Sequence, residues 1–147
     1  MKVNGKAYRT IWLASDGWAV DIIDQTKLPH RFEIVRMENL ADSIHAIADM
    51  LVRGAPLIGA TTAYGVALAM REDASDAALE SACEKLYEAR PTAVNLRWAL
   101  EEMLSVLEPL APSEREKAAY ARAAEIADED VEICSSIGDH GCELIEE

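Results

Sequence analysis

Gly54-Ala55-Pro56-Leu57-Ile58-Gly59-Ala60-Thr61-Thr62-Ala63-Tyr64-Gly65-Val66-Ala67-Leu68-Ala69-Met70 is the stretch on which the fold turns. It carries no charge and comes close to the length of a membrane span. Its Pro, Gly, Thr and Tyr residues suit a helix buried in protein better than one bathed in lipid. Pro56 fits the first turn, where its missing N–H belongs to the set that has no partner anyway. Small residues recur on several sides of Leu57–Met70: Gly59, Ala60, Ala63, Gly65, Ala67 and Ala69. They allow neighbouring backbones to come close, so this is expected to be the central and most buried helix.

Working outward, helical periodicity continues on both sides. Upstream, Asn39 is an N-cap candidate, with Asp42 in the first turn to favour the helix dipole. Leu40, Ile44, Ile47 and Leu51 share a face, and Gly54 is placed to end that helix. Downstream, Ser75 opens a third helix with Ala78, Leu79, Ala82, Leu86 and Tyr87 inward. Arg90-Pro91-Thr92 breaks the chain, and Thr92 or a neighbour opens a fourth helix carrying Leu96, Leu100, Met103, Leu104 and Leu107. Pro109 and Pro112 bracket a short connection. Ser113 with Glu116 spells a capping box, which starts a long last helix with Ala119, Ala123, Ile126, Ile133 and Ile137 on one face.

The first forty residues read differently. Tyr8–Leu13 and Trp18–Ile23 are strand-like runs around Asp16-Gly17, a hairpin turn signal. Phe32–Met37 alternates apolar and charged residues, and Pro29 keeps the preceding segment out of any central strand. The expected fold class is mainly α with a small N-terminal antiparallel β-sheet. Residues 1–147 form one domain, with the sheet in 1–38 and a helical bundle in 39–147.

Composition narrows the function. Half of the 147 residues are apolar, which is enough for a real core. Acidic residues outnumber basic ones 27 to 14, for a net charge of −13. That disfavours nucleic acid as a partner and anionic membrane surfaces alike. Three cysteines, Cys83, Cys134 and Cys142, are an odd number, and no apolar leader follows Met1–Lys6. The pattern points to a reducing compartment, the cytoplasm, with all three thiols buried and inert. The stretch 143–147 has no character of a finished tail. His30, His45 and His140 lack the spacing of a metal site, and no phosphate loop, dinucleotide fingerprint or nucleophile elbow occurs.

Two short phrases carry candidate chemistry. Arg53-Gly54-Ala55-Pro56 sets a guanidinium and a flexible backbone before a helix N-terminus, an arrangement suited to an anion such as phosphate. Taken alone, the tetrapeptide is read as readily as a solvated helix-end cation with a plain C-cap. Arg90-Pro91-Thr92-Ala93-Val94-Asn95-Leu96 repeats the arrangement, and there too a helix C-terminal cation is the common alternative. Asn95 falls in the first turn, in reach of a ligand or of a cap.

Four phrases in order resemble the methylthioribose-1-phosphate isomerases. They are Ile23-Asp24-Gln25-Thr26-x-Leu28-Pro29; Val52 to Ala60 running on through Ala63–Ala69; Arg90 to Leu96 with Trp98-Ala99; and Glu129-Asp130 followed by Ile137-Gly138-x-His140-Gly141. The wider family also holds regulatory subunits of translation initiation factor 2B and ribose-1,5-bisphosphate isomerases. The resemblance implies a helical N-terminal domain followed by a Rossmann-like domain, and an aldose–ketose isomerase of methionine salvage and methionine biosynthesis. Its reaction converts 5-methylthioribose 1-phosphate to 5-methylthioribulose 1-phosphate without a cofactor. It implies a sugar-phosphate substrate, a homodimer at full length, and Arg53, Gly54, Ala55 and Arg90 as substrate-binding positions.

The family's catalytic cysteine lies in a Thr-His-Cys-Asn motif and its catalytic aspartate lies further on; neither motif occurs in this chain. Cys142 stands upstream of that place and is not assigned the role. The chain is therefore expected to be the N-terminal domain of such an isomerase, without catalytic residues of its own and inactive alone, the Rossmann-like domain being its missing partner. Two other readings stand beside it: a non-catalytic regulatory or assembly module of the initiation factor 2B type, and a domain of a ribose-1,5-bisphosphate isomerase.

Overall fold

The structure, a computed structural model, describes residues 2–145. Met1 and the last two residues of the 143–147 stretch lie outside the described residues. The N-terminal region holds two small antiparallel sheets. Strands β1 (Lys2–Val3) and β2 (Lys6–Ala7) form a hairpin. Strands β3 (Ile11–Leu13), β4 (Val20–Ile23) and β5 (Ile34–Met37) form the second sheet in the order β3-β4-β5. Val20 pairs with Leu13 on one side and Met37 on the other.

The Asp16-Gly17 turn joins β3 to β4, with Gly17 at φ +80°. The Asp16 carboxylate accepts from the N–H groups of Trp18 and Ala19, both at 3.1 Å. The strands are shorter than the apolar runs that announce them. Tyr8, Trp18 and Phe32 stay outside, and the Tyr8 and Phe32 rings meet at 4.9 Å instead.

Helix α1 spans Leu40–Ala48, with the Asn39 side chain accepting from the Asp42 N–H at 2.9 Å. It does not run to Gly54. Asp49 ends it, and Met50 then takes the left-handed conformation (φ +59°), so Leu51 is buried from a loop. Its buried face is Ser43, Ala46 and Ile47, while Leu40 and Ile44 are only half-buried. Small residues face inward because α1 presses on the next helix. A Cβ at Gly65 would lie 3.0 Å from the Ser43 Cβ.

Helix α2 (Ala55–Glu72) is the expected central helix, buried at every residue from Leu57 to Met70. It packs against α1, α3 (Asp76–Ala89), α4 (Val94–Leu107), α5 (Pro112–Ile145) and β3. Its Thr61 and Thr62 hydroxyls donate back to the Leu57 and Ile58 carbonyls, each at 2.8 Å, so neither hydroxyl is stranded in the core.

Ser75 caps α3 as expected, accepting from the Ala78 N–H at 3.3 Å. The capping box at Ser113 is not made. Helix α5 opens on Pro112, whose fixed φ presets the first turn, and Ser113 falls inside the helix.

The inward face of α5 is Arg115, Ala119, Ala123, Ile126 and Ala127. Ile133 and Ile137 do not join it: they are 59% and 66% exposed, and no described residue after Ala127 is buried. Periodicity marks a helix face; whether anything covers it depends on the rest of the fold.

Candidate functional site

Two helix N-termini converge beside Arg53 and Arg90. Gly54 is the N-cap of α2 at φ +99°, where a side chain would be strained. Ala93 is the N-cap of α4. No side chain caps either helix, and neither first turn holds an acidic residue. Both helices thus direct the positive ends of their dipoles outward without neutralisation from their own side chains.

The two starts open onto one cleft of about 390 Å³. Arg53 and Gly54 line it from just before α2, Ala55 and Ile58 from the first turn of α2, Arg90 from the end of α3, and Thr92, Ala93, Val94 and Asn95 from the entry to α4. Met50 completes the rim. All four residues expected to bind substrate, Arg53, Gly54, Ala55 and Arg90, are therefore in one place.

Among the described residues no carboxylate lines the cleft, although the chain carries a net charge of −13. Arg53 spends only its Nε, which donates to the Met50 carbonyl at 3.3 Å. Arg90 has no ion pair or side-chain hydrogen bond among the described residues. Elsewhere arginines are committed: Arg122 reaches Glu102, Glu125 and Glu129 at 2.9, 3.2 and 2.7 Å, and these carboxylates hold its guanidinium firmly charged. Two guanidiniums without a carboxylate partner among the described residues and two uncapped helix N-termini make a field suited to a small anion.

The first of the four phrases supports this place from behind. Asp24 accepts from the Thr26 N–H at 2.9 Å and from its hydroxyl at 2.6 Å, and the Gln25 N–H donates to the Leu51 carbonyl at 2.9 Å. The Gln25 bond fastens the β4–β5 loop to the segment that leads into Arg53. Met50, Ile58 and Val94 were not legible as lining residues. Ile58 and Val94 look like ordinary helix residues, and nothing in the sequence marks Met50 as left-handed.

The remaining candidates lie apart from the cleft. His45 contacts Asp49 at 2.5 Å, and His140 Nδ1 lies 2.7 Å from the Ser136 carbonyl. Among the described residues, no three of His, Cys, Asp and Glu come together as a metal site. Cys83 is buried, and burial pushes its thiol up to about 11. Cys134 and Cys142 are exposed, contrary to expectation, because both lie on the uncovered part of α5. No described helix is long and apolar enough to cross a membrane.

The sequence profile of the initiation factor 2 subunit family matches residues 51–147, from the lead-in to the cleft through the whole of α5. The chain belongs to the initiation factor 2 subunit family. Within that family it is 59% identical, over 99% of its length, to a methylthioribose-1-phosphate isomerase of Paramagnetospirillum magneticum, and covers 40% of that protein.

Among solved structures it superposes on 5-methylthioribose 1-phosphate isomerase from Pyrococcus horikoshii with a TM-score of 0.86 at 34% identity, covering 95% of this chain and 41% of that one. It also superposes on the delta subunit of translation initiation factor eIF-2B from A. fulgidus, with a TM-score of 0.78 at 37% identity, covering 86% and 38%. The chain spans about 40% of the length of the curated isomerase it matches.

Proposed function

We propose that this chain is the N-terminal, substrate-phosphate-binding part of a methylthioribose-1-phosphate isomerase, the enzyme that converts 5-methylthioribose 1-phosphate to 5-methylthioribulose 1-phosphate. The observation that carries the reading is the cleft between α2 and α4. It gathers Arg53, Arg90 and two uncapped helix N-termini and contains no carboxylate. A regulatory module shares the fold but has no need of two arginines without carboxylate partners on one cleft. In this reading the phosphate sits on the arginines and on the N–H groups around Gly54-Ala55, and the sugar extends away from them toward a second, Rossmann-like domain. That domain would supply the cysteine and aspartate that move the proton between C1 and C2, with no cofactor. The uncovered apolar residues of α5, Ile133, Ile137 and Leu144, give it a surface on which to dock.

The experiment is calorimetric titration of the 147-residue chain with 5-methylthioribose 1-phosphate and, separately, with unphosphorylated 5-methylthioribose. Only the phosphate ester should bind. Arg53→Ala and Arg90→Ala should each cost roughly 2–4 kcal/mol of affinity, as for loss of one charge-assisted contact to a partly desolvated anion. Lys27→Ala, on the exposed β4–β5 loop, should leave affinity unchanged. Equal binding of both ligands, or indifference to both arginine substitutions, would sink the reading. The chain alone should turn over no substrate; turnover abolished by Cys142→Ser would overturn the assignment of the chemistry to the second domain.

A further inference from the structure

We infer that Gly59 is a positioning residue for the anion cleft: its missing side chain sets how closely the N-terminus of α4 stands to that of α2. The inference rests on the phosphate reading above and extends it to a residue that lies one turn into α2, behind the cleft wall.

The geometry is specific. A Cβ at position 59 would lie 3.1 Å from the Asn95 carbonyl oxygen, 3.6 Å from the Asn95 Cβ and 3.7 Å from its carbonyl carbon. The nearest atom is backbone, not the flexible end of a side chain, so no rotamer change can relieve the contact. It belongs to the first turn of α4, the turn that opens on the cleft with Ala93, Val94 and Asn95 on its wall. A methyl group at position 59 would therefore push that turn away by a few tenths of an ångström. The shift changes the spacing between the α4 turn and the α2 N-terminus that carries the Arg53 side of the site. Charge-assisted hydrogen bonds to an anion are short and geometrically demanding, so such a shift loosens one half of the cradle.

Gly65 supplies the internal control. It lies on the same helix and is as tightly packed, with a notional Cβ 3.0 Å from the Ser43 Cβ and 3.1 Å from Leu86 Cδ2. Its neighbours are α1 and α3, and neither residue lines the cleft. A packing glycine with no role in the site should behave as Gly65 does.

The test uses the 147-residue chain and inorganic phosphate as the probe, with affinity read by amide chemical-shift titration and stability by thermal unfolding. Gly59→Ala should weaken phosphate binding about fivefold, through lost alignment of one group of charge-assisted donors. Gly65→Ala should lower Tm and leave phosphate affinity unchanged. If Gly59→Ala binds like the unsubstituted chain, or if Gly65→Ala weakens binding equally, the positioning role is overturned. The phosphate reading survives either result so long as Arg53→Ala weakens binding.

Should Gly59→Ala fail to fold, the unsubstituted chain decides. Phosphate should shift the amides of Ala55 and Leu57 together with those of Val94, Asn95 and Leu96. A response confined to α2 would mean that α4 contributes no donors and that Gly59 has nothing to position. No response at either helix would overturn the phosphate reading, and this inference with it.

Discussion

Arg115 donates from inside the fold to the Leu107 carbonyl at 3.0 Å, the Ala74 carbonyl at 2.9 Å and the Asp76 carboxylate at 2.5 Å, and is 3% exposed. From the sequence it is one more cation on an amphipathic helix, fit to serve with Lys27 as a neutral control for phosphate binding. It is instead a staple joining α5 to the C-terminal end of α4 and the entry to α3. Arg115→Met would take the donor from the Ala74 carbonyl and leave the Leu107 carbonyl only the Leu110 N–H at 3.2 Å, and we expect a loss of about 3 kcal/mol in urea unfolding. A change under about 0.5 kcal/mol, the range of ordinary surface substitutions, would contradict the staple.

Cys83 gives a second prediction at the same scale. Its thiol is raised from 9.0 to about 11, first by burial and then by the nearby charge of Glu108. The folded state therefore holds the proton more tightly than the unfolded chain. The resulting stability is present in full below pH 9.0 and is lost as the pH rises through about 11. Thermal unfolding followed from pH 8 to 11 should fall less steeply in Cys83→Ala than in the parent. At neutral pH a thiol reagent should modify Cys134 and Cys142 but spare Cys83.

Among the elements, α5 divides into a packed half and a free half. No described residue after Ala127 is fully buried, and Gly138 and Gly141 weaken the helix there further. A chain ending at Asp130 should keep the Tm of the full chain within about 2 °C, since that change corresponds to well under 1 kcal/mol, while losing helical circular dichroism. A large fall in Tm would mean that the free half supports the core. This element also marks the limit of what was legible. Helix periods, the Asn39 and Ser75 caps and the Asp16-Gly17 turn are local, so adjacent residues encode them. The end of α1 at Ala48 and the exposure of Ile133 and Ile137 depend on what packs there from elsewhere in the fold, and no local pattern carries that information. The cleft was half legible. Arg53 and Arg90 each precede a helix start, but their meeting depends on how α4 lies on α2, and the one sequence sign of that contact is a glycine among many small residues.

For the molecule as a whole, a chain with a net charge of −13 keeps one carboxylate-free cleft, and the fold achieves this by turning acidic residues outward on α3 and α5. The cleft is framed by α2 itself and by α4, which packs on it, and α2 packs against each of the other four helices. That arrangement bears on how the molecule comes apart. Because α2 is surrounded, its amide protons should exchange with solvent only when the entire domain opens, at rates set by the global unfolding free energy. The amides beyond Ala127 should exchange fastest, the outer helices at intermediate rates, and those of Ala60–Met70 last and together. A slow-exchanging core centred on any other helix would show that the hub of the packing is not the hub of cooperativity. If the expected order holds, the cleft cannot be dismantled piecemeal: its two walls share one anchor, so whatever binds there reports on the integrity of the whole domain.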